Sequence, residues 1–115
     1  MTDKDEETYE GLNKKMLQVS DEKVKNARAL TAHEQLEQEI HVIDTKERTI
    51  WNRLYECWGK DRKVSLSLDQ FRVELDHNRR KVSNYMEHEK QVLLGKRRDL
   101  HNTEDRLYEL KRRFR

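Results

Sequence analysis

Proline is absent from the chain, and with three glycines and one cysteine it has little else that would punctuate or staple a fold. Without proline, no residue forces a helix to kink or stop by losing its backbone donor. Cys57, being alone, cannot close an intramolecular disulfide, so nothing points to an oxidising compartment, and it reads as a small hydrophobe that packs inside. Long hydrophobic runs are missing too, and no stretch approaches the roughly 18 apolar residues of a membrane-spanning helix. The opening "MTDKDEETYEG" is acidic and has no apolar core segment, so neither a secretory signal nor a membrane span is expected.

Apolar residues are also scarce, at 33%, against 42% charged. Ordinary globular domains are roughly 45–50% apolar, so a thick core is excluded. Disordered chains of this polarity tend to be rich in proline and glycine and to carry a large net charge, whereas this chain has a net charge of +2. Balanced charge over periodic apolar residues describes long, solvent-bathed helices, whose seam needs only about two buried positions in seven. The expected class is all-α coiled coil, as a single domain over 1–115.

The periodicity is plain in both halves. Leu36, Ile40, Ile43, Ile50, Leu54 and Cys57 fall at alternating steps of four and three, with Glu47 as a polar intruder, and read as a seam. Upstream, Tyr9, Leu12, Met16, Val19 and Leu30 follow a similar frame that is out of phase with it, so an overwound or kinked segment is expected between Leu30 and Leu36. In the second half Met86, Leu93, Leu100, Leu107 and Phe114 form a ladder of sevens, beside Leu68, Leu75, Val82 and Leu110.

The break lies in "YECWGKDRKVSLSLDQF", residues 55–71. Gly59 fits the left-handed position that ends many helices. Ser67 can cap a second helix, with Gln70 reaching back and Leu66 packing on Phe71. The expected product is a long antiparallel two-helix hairpin: helix 1 over about 3–58, a turn over about 59–67 and helix 2 over about 68–114. That fold sets Ile43 against Val82, Ile40 against Met86 and Leu12 against Phe114. It also brings residues 1–22, with seven acids and three bases, beside residues 96–115, with eight bases and four acids.

Catalytic motifs are lacking: there is no glycine-rich phosphate loop, no paired-cysteine motif and no nucleophile elbow. His77, His88 and His101 fall on outward positions, His33 in the phase break and His41 beside the seam, so no metal site and no cofactor are expected. A two-helix rod offers no enclosed pocket, which argues against an enzyme. The basic runs "NRRK", "GKRR" and "LKRRFR" are interleaved with acids, so they read as solvated faces and not as a nucleic-acid surface, with Arg79 carrying little. The surplus is aromatic. Trp51, Tyr55 and Trp58 crowd the end of helix 1, and Phe71, Tyr85 and Val92 widen the apolar stripe of helix 2. They either plug the turn end or receive partner helices, since aromatic residues dominate binding hot spots.

Tryptophan and glycine between two helices, here Trp58-Gly59, resemble the WXG100 hairpins of type VII secretion. The residue that separates the pair in that family is missing here. A closer likeness, carried by the hairpin layout and by "EDRLYELKRRF" at 104–114, is to the small α-helical proteins associated with LXG toxins in type VIIb secretion systems. That resemblance implies a chaperone or targeting factor. It would bind the helical N-terminal domain of a toxin beside a companion small helical protein, in the cytoplasm and with or without co-export. Leu107, Tyr108, Leu110 and Phe114 would then join Trp51, Tyr55, Trp58, Phe71, Tyr85 and Val92 as partner-binding residues. FliJ-like stalk hairpins of type III or flagellar export, similar in charge and length, and a self-associating coiled coil or homodimer are the alternatives.

Overall fold

A computed structural model describes residues 3–114, with side chains placed from residue 9 onward. Two helices account for almost all of it: α1 runs Asp3–Trp58 and α2 runs Arg62–Arg112. Interior positions hold mostly residues that lose little rotamer freedom in a helix, namely Leu, Glu, Lys, Arg and Gln. With no proline in the chain, neither helix meets an obligatory stop.

The chain is an all-α antiparallel helical hairpin. Contacts along it settle the direction, because α2 partners fall in number as α1 residues rise: Tyr9 with Phe114, Lys23 with Glu104, His33 with Met86 and Tyr55 with Asp69. The paired helices divide into two compact units. One combines α1 up to Ala32 with α2 from Lys90, and the other spans His33–Glu89.

The connection is much shorter than the expected 59–67. It occupies Gly59–Asp61, and α2 starts at Arg62, not at Leu68. Asp61 is the cap: its Oδ1 accepts from the backbone N–H groups of Lys63 and Val64 at 3.0 and 3.2 Å, and its carbonyl receives Ser65 N–H at 2.8 Å. A carboxylate facing the positive end of a helix outcompetes the Ser67 hydroxyl, and residues 62–67 contain nothing that resists helix. Ser67 is therefore an interior helical residue. Replacing Asp61 with alanine is expected to lower stability by about 1 kcal/mol, while Ser67→Ala changes little. Thermal melts followed by circular dichroism check this, and an equal effect at both positions would contradict the cap assignment.

Gly59 does end α1, but without the left-handed conformation expected of it, since no described residue has a positive φ. Its glycine requirement is steric. A Cβ at Gly59 would collide with the Tyr55 carbonyl oxygen, the group that accepts Gly59 N–H at 2.8 Å. Asp61 N–H then closes on the Trp58 carbonyl at 3.0 Å, so the Tyr55 and Trp58 carbonyls of the last turn of α1 are both paired.

Within the terminal unit the core is thin but well defined. Leu12 and Leu107 are buried, with Met16, Val19, Leu30, Leu93 and Leu100 half-buried around them. Phe114 meets Tyr9 edge to face at 5.9 Å, in place of the expected Leu12. Asn26, which sequence periodicity passed over, is 3% exposed, and its side-chain N–H₂ donates to the Leu93 carbonyl at 3.0 Å. A single satisfied polar side chain in an apolar seam favours one register over its neighbours. Glu22 meets Lys96 at 3.4 Å, as the acidic and basic ends suggest, while Lys23 meets Glu104 at 2.9 Å with the signs reversed.

Candidate interaction surface

The second unit, His33–Glu89, is built differently. On its α1 segment the positions turned inward are His33, Glu37, Ile40, Asp44, Glu47, Trp51 and Leu54, in steps of four and three. They continue the alternation of Leu12, Met16, Val19, Lys23, Asn26 and Leu30 without a break, so the phase shift expected between Leu30 and Leu36 does not occur and α1 is unbroken there. The helix keeps its frame by accepting polar residues into it.

Those polar residues find partners. His33, whose side chain is 9% exposed, sets Nε2 2.8 Å from the Met86 carbonyl and Nδ1 3.1 Å from Glu37 Oε1, so it is a seam residue and not a surface histidine. Arg79 on α2 reaches three carboxylates: it donates to Glu47, sits 3.1 Å from Asp44 and 3.5 Å from Asp76. The Glu47 hydrogen bond, chiefly, holds the guanidinium pKa above its usual value, with Asp44 and Asp76 adding to it. Arg79 is thus an interhelical clamp in place of the idle surface cation expected of it.

Because the true frame differs by one row from the expected one, several residues assigned to the seam lie outside it. Leu36, Ile43 and Ile50 are 46%, 61% and 58% exposed, and Cys57 is exposed as well, not packed. They form a row of sevens along one edge of the seam on α1. On α2, Phe71 and Tyr85 are 62% and 63% exposed on the row bordering the seam, and Val82 is 46% exposed beside them.

Both rows fall on the same side of the hairpin. In an antiparallel pair the rows bordering the seam meet like with like, and the opposite edge shows which meet: Tyr55 O–H donates to Asp69 at 2.6 Å, and Arg48 and Asp76 line one cleft with Arg72. That edge is polar. The remaining edge therefore carries Leu36, Ile43 and Ile50 from one helix and Phe71, Val82 and Tyr85 from the other.

The residues expected to bind a partner separate accordingly. Trp51 and Tyr55 are half-buried at the turn end, 6.2 Å apart by ring centroids, with Arg72 5.8 Å over the Tyr55 ring. Tyr55 thus joins the two helices near the turn through Asp69 and Arg72. Tyr55's hydrogen bond to Asp69 is also the main reason its phenol pKa lies above the ordinary value. Trp58 stays 52% exposed, and Phe71 and Tyr85 stand in the apolar edge just described. The rest belong to the terminal unit: Leu107 is buried core, Val92, Tyr108 and Leu110 are exposed, and Phe114 packs on Tyr9, over which Lys111 lies at 5.9 Å. Leu36, Ile43, Ile50 and Val82 were overlooked as surface residues. The signal that could have found them is Asp44 and Glu47 at seam spacing from Leu30, Ile40 and Leu54.

Among the described residues no group of three or more His, Cys, Asp or Glu side chains could hold a metal ion, and no helix is long and apolar enough to cross a membrane. The arrangement defines a two-helix hairpin whose His33–Glu89 unit admits polar residues into its seam and leaves an apolar edge exposed. The chain belongs to the family described as "Protein of unknown function (DUF3958)", whose model matches residues 7–114. No curated protein and no solved structure matches it.

Proposed function

We propose that this protein is a non-enzymatic helix-binding adaptor that stabilises the helical N-terminal domain of an LXG toxin and targets it to a type VIIb secretion system. The observation that carries the reading is the apolar edge of the His33–Glu89 unit, where Ile43, Ile50, Phe71 and Tyr85 are each more than half exposed. Scattered exposed apolar residues need no explanation, but a contiguous row on paired helices marks an interaction site. Helices are the fitting partner, since an amphipathic helix reads rows of this spacing with its own apolar stripe.

The toxin and the secretion route come from the likeness of the hairpin layout, the Trp58-Gly59 turn and "EDRLYELKRRF" to the LXG-associated proteins. A cytoplasmic complex with the toxin and a companion small helical protein follows from that likeness. Arg79 of the "NRRK" run is occupied by carboxylates, which disfavours the nucleic-acid alternative. Co-expression with the large open reading frame beside the gene tests the proposal. The two products are expected to co-elute in size-exclusion chromatography, and Ile50→Glu with Phe71→Glu is expected to separate them. A protein that never co-elutes with that product would sink it.

A further inference from the structure

We infer that in the absence of such a partner the apolar edge of the His33–Glu89 unit is covered by the same edge of a second copy of this chain. This goes beyond the adaptor reading, which names a different occupant and stands or falls separately. The first argument is size. Leu36, Ile43, Ile50, Phe71, Val82 and Tyr85 are 46–63% exposed and together offer apolar area on the order of 500 Å² per copy. Two copies would then bury about 1,000 Å² of it, which reaches the lower range of specific interfaces.

The second argument identifies the occupant. Outside the apolar rows, seven-residue spacing places Glu39 and Lys46 along the α1 rim and Glu74 and Lys81 along the α2 rim, all of them exposed. The helices run in opposite directions, so the acid of one rim stands level with the base of the other. A twofold axis along the hairpin sets Glu39 against the second copy's Lys81 and Lys46 against its Glu74. An axis across the hairpin sets Glu39 against Lys46 and Glu74 against Lys81. Either isologous arrangement puts acid on base. A surface that is its own complement is what a C2 contact requires, whereas an unrelated partner imposes no such pattern.

The third argument is internal to the unit. Its seam admits His33, Glu37, Asp44, Glu47 and Arg79 beside Ile40, Trp51, Leu54 and Met86, so Ile43, Ile50, Phe71 and Tyr85 are left outside it. Packing them against a second copy sets two helix pairs around a shared apolar centre, as in a four-helix arrangement.

Size-exclusion chromatography with light scattering on the purified full chain tests this directly. The expected result is a dimer that Ile43→Glu and Tyr85→Glu each weaken at least tenfold in dissociation constant, while Val73→Glu, on the outer surface, leaves it intact. Rim reversal provides a variant set that does not disturb the apolar rows. Glu39→Lys with Glu74→Lys is expected to dissociate the dimer, and adding Lys46→Glu with Lys81→Glu to restore it. A wild-type monomer at ~100 μM, far above the micromolar dissociation constant that an interface of this area can reach, overturns the inference. So does a dimer indifferent to both sets. A monomer that co-elutes with the toxin and loses it through Ile43→Glu assigns the edge to the toxin alone, rejecting the second copy and sparing the adaptor reading.

Discussion

Leu107→Glu is expected to abolish cooperative melting of the terminal unit, whereas Leu17→Glu, the same change in the same unit, is expected to leave it nearly unaltered. Leu107 is 7% exposed and Leu17 is 67% exposed. Truncating a buried leucine alone costs about 2–5 kcal/mol. A glutamate there must also either lose its charge or bring water into the seam, which adds a further penalty of a few kcal/mol. Small domains have roughly 5–15 kcal/mol in all, and among the described residues Leu12 and Leu107 are the buried hydrophobics of this unit, so the loss removes much of what holds it. Leu17 faces solvent, and surface changes are usually within about 0.5 kcal/mol. The readout is thermal unfolding by circular dichroism, with hydrogen exchange resolving residues 90–114 from 33–89. Equal melting curves for the two variants would overturn the assignment of Leu107 to the core.

The contrast also shows what could be read from the sequence. The α2 ladder Met86, Leu93, Leu100, Leu107 was legible because apolar residues occupy every step, and Met86 and Leu107 are among the most buried residues found. On α1 the same logic failed. Periodicity counts apolar residues as seam, but here Asp44 and Glu47 hold the seam while Ile43 and Ile50 stand one row aside. What decides between the two frames is a residue far along the chain, Arg79, whose guanidinium makes two carboxylates tolerable between the helices. Local pattern cannot see that pairing. The turn was misplaced for a related reason: "SLDQ" satisfies a capping rule, but Asp61 satisfies a stronger one closer to the end of α1. Along the exposed apolar edge, Phe71 and Tyr85 are legible as surplus aromatics, whereas the aliphatic half of the same edge reads as seam.

Arg79→Ala is therefore expected to destabilise the His33–Glu89 unit by about 1–3 kcal/mol, well above what an exposed ion pair contributes. Its side chain is 31% exposed, and those of Asp44 and Glu47 are 31% and 25%, so water screens the cluster only partly. Removing the cation leaves Asp44 and Glu47 facing each other along one turn of α1 with no counter-charge from α2, and like charges at that spacing repel. Much of the cost is thus the abandoned carboxylates and not the lost bond. Asp44→Asn with Glu47→Gln in the Arg79→Ala background is expected to recover most of the stability, which a purely steric role for the arginine would not allow. Arg79→Lys is expected to recover less, because an ammonium cannot reach several carboxylates with the planar fork of the guanidinium. Salt sharpens the distinction: at about 1 M ionic strength the Debye length falls to roughly 3 Å, and the gap between wild type and Arg79→Ala should narrow without closing. Denaturant titrations of the single and triple variants at low and high salt measure each of these differences. A triple variant no more stable than Arg79→Ala would show that the carboxylates are not what the arginine holds in place.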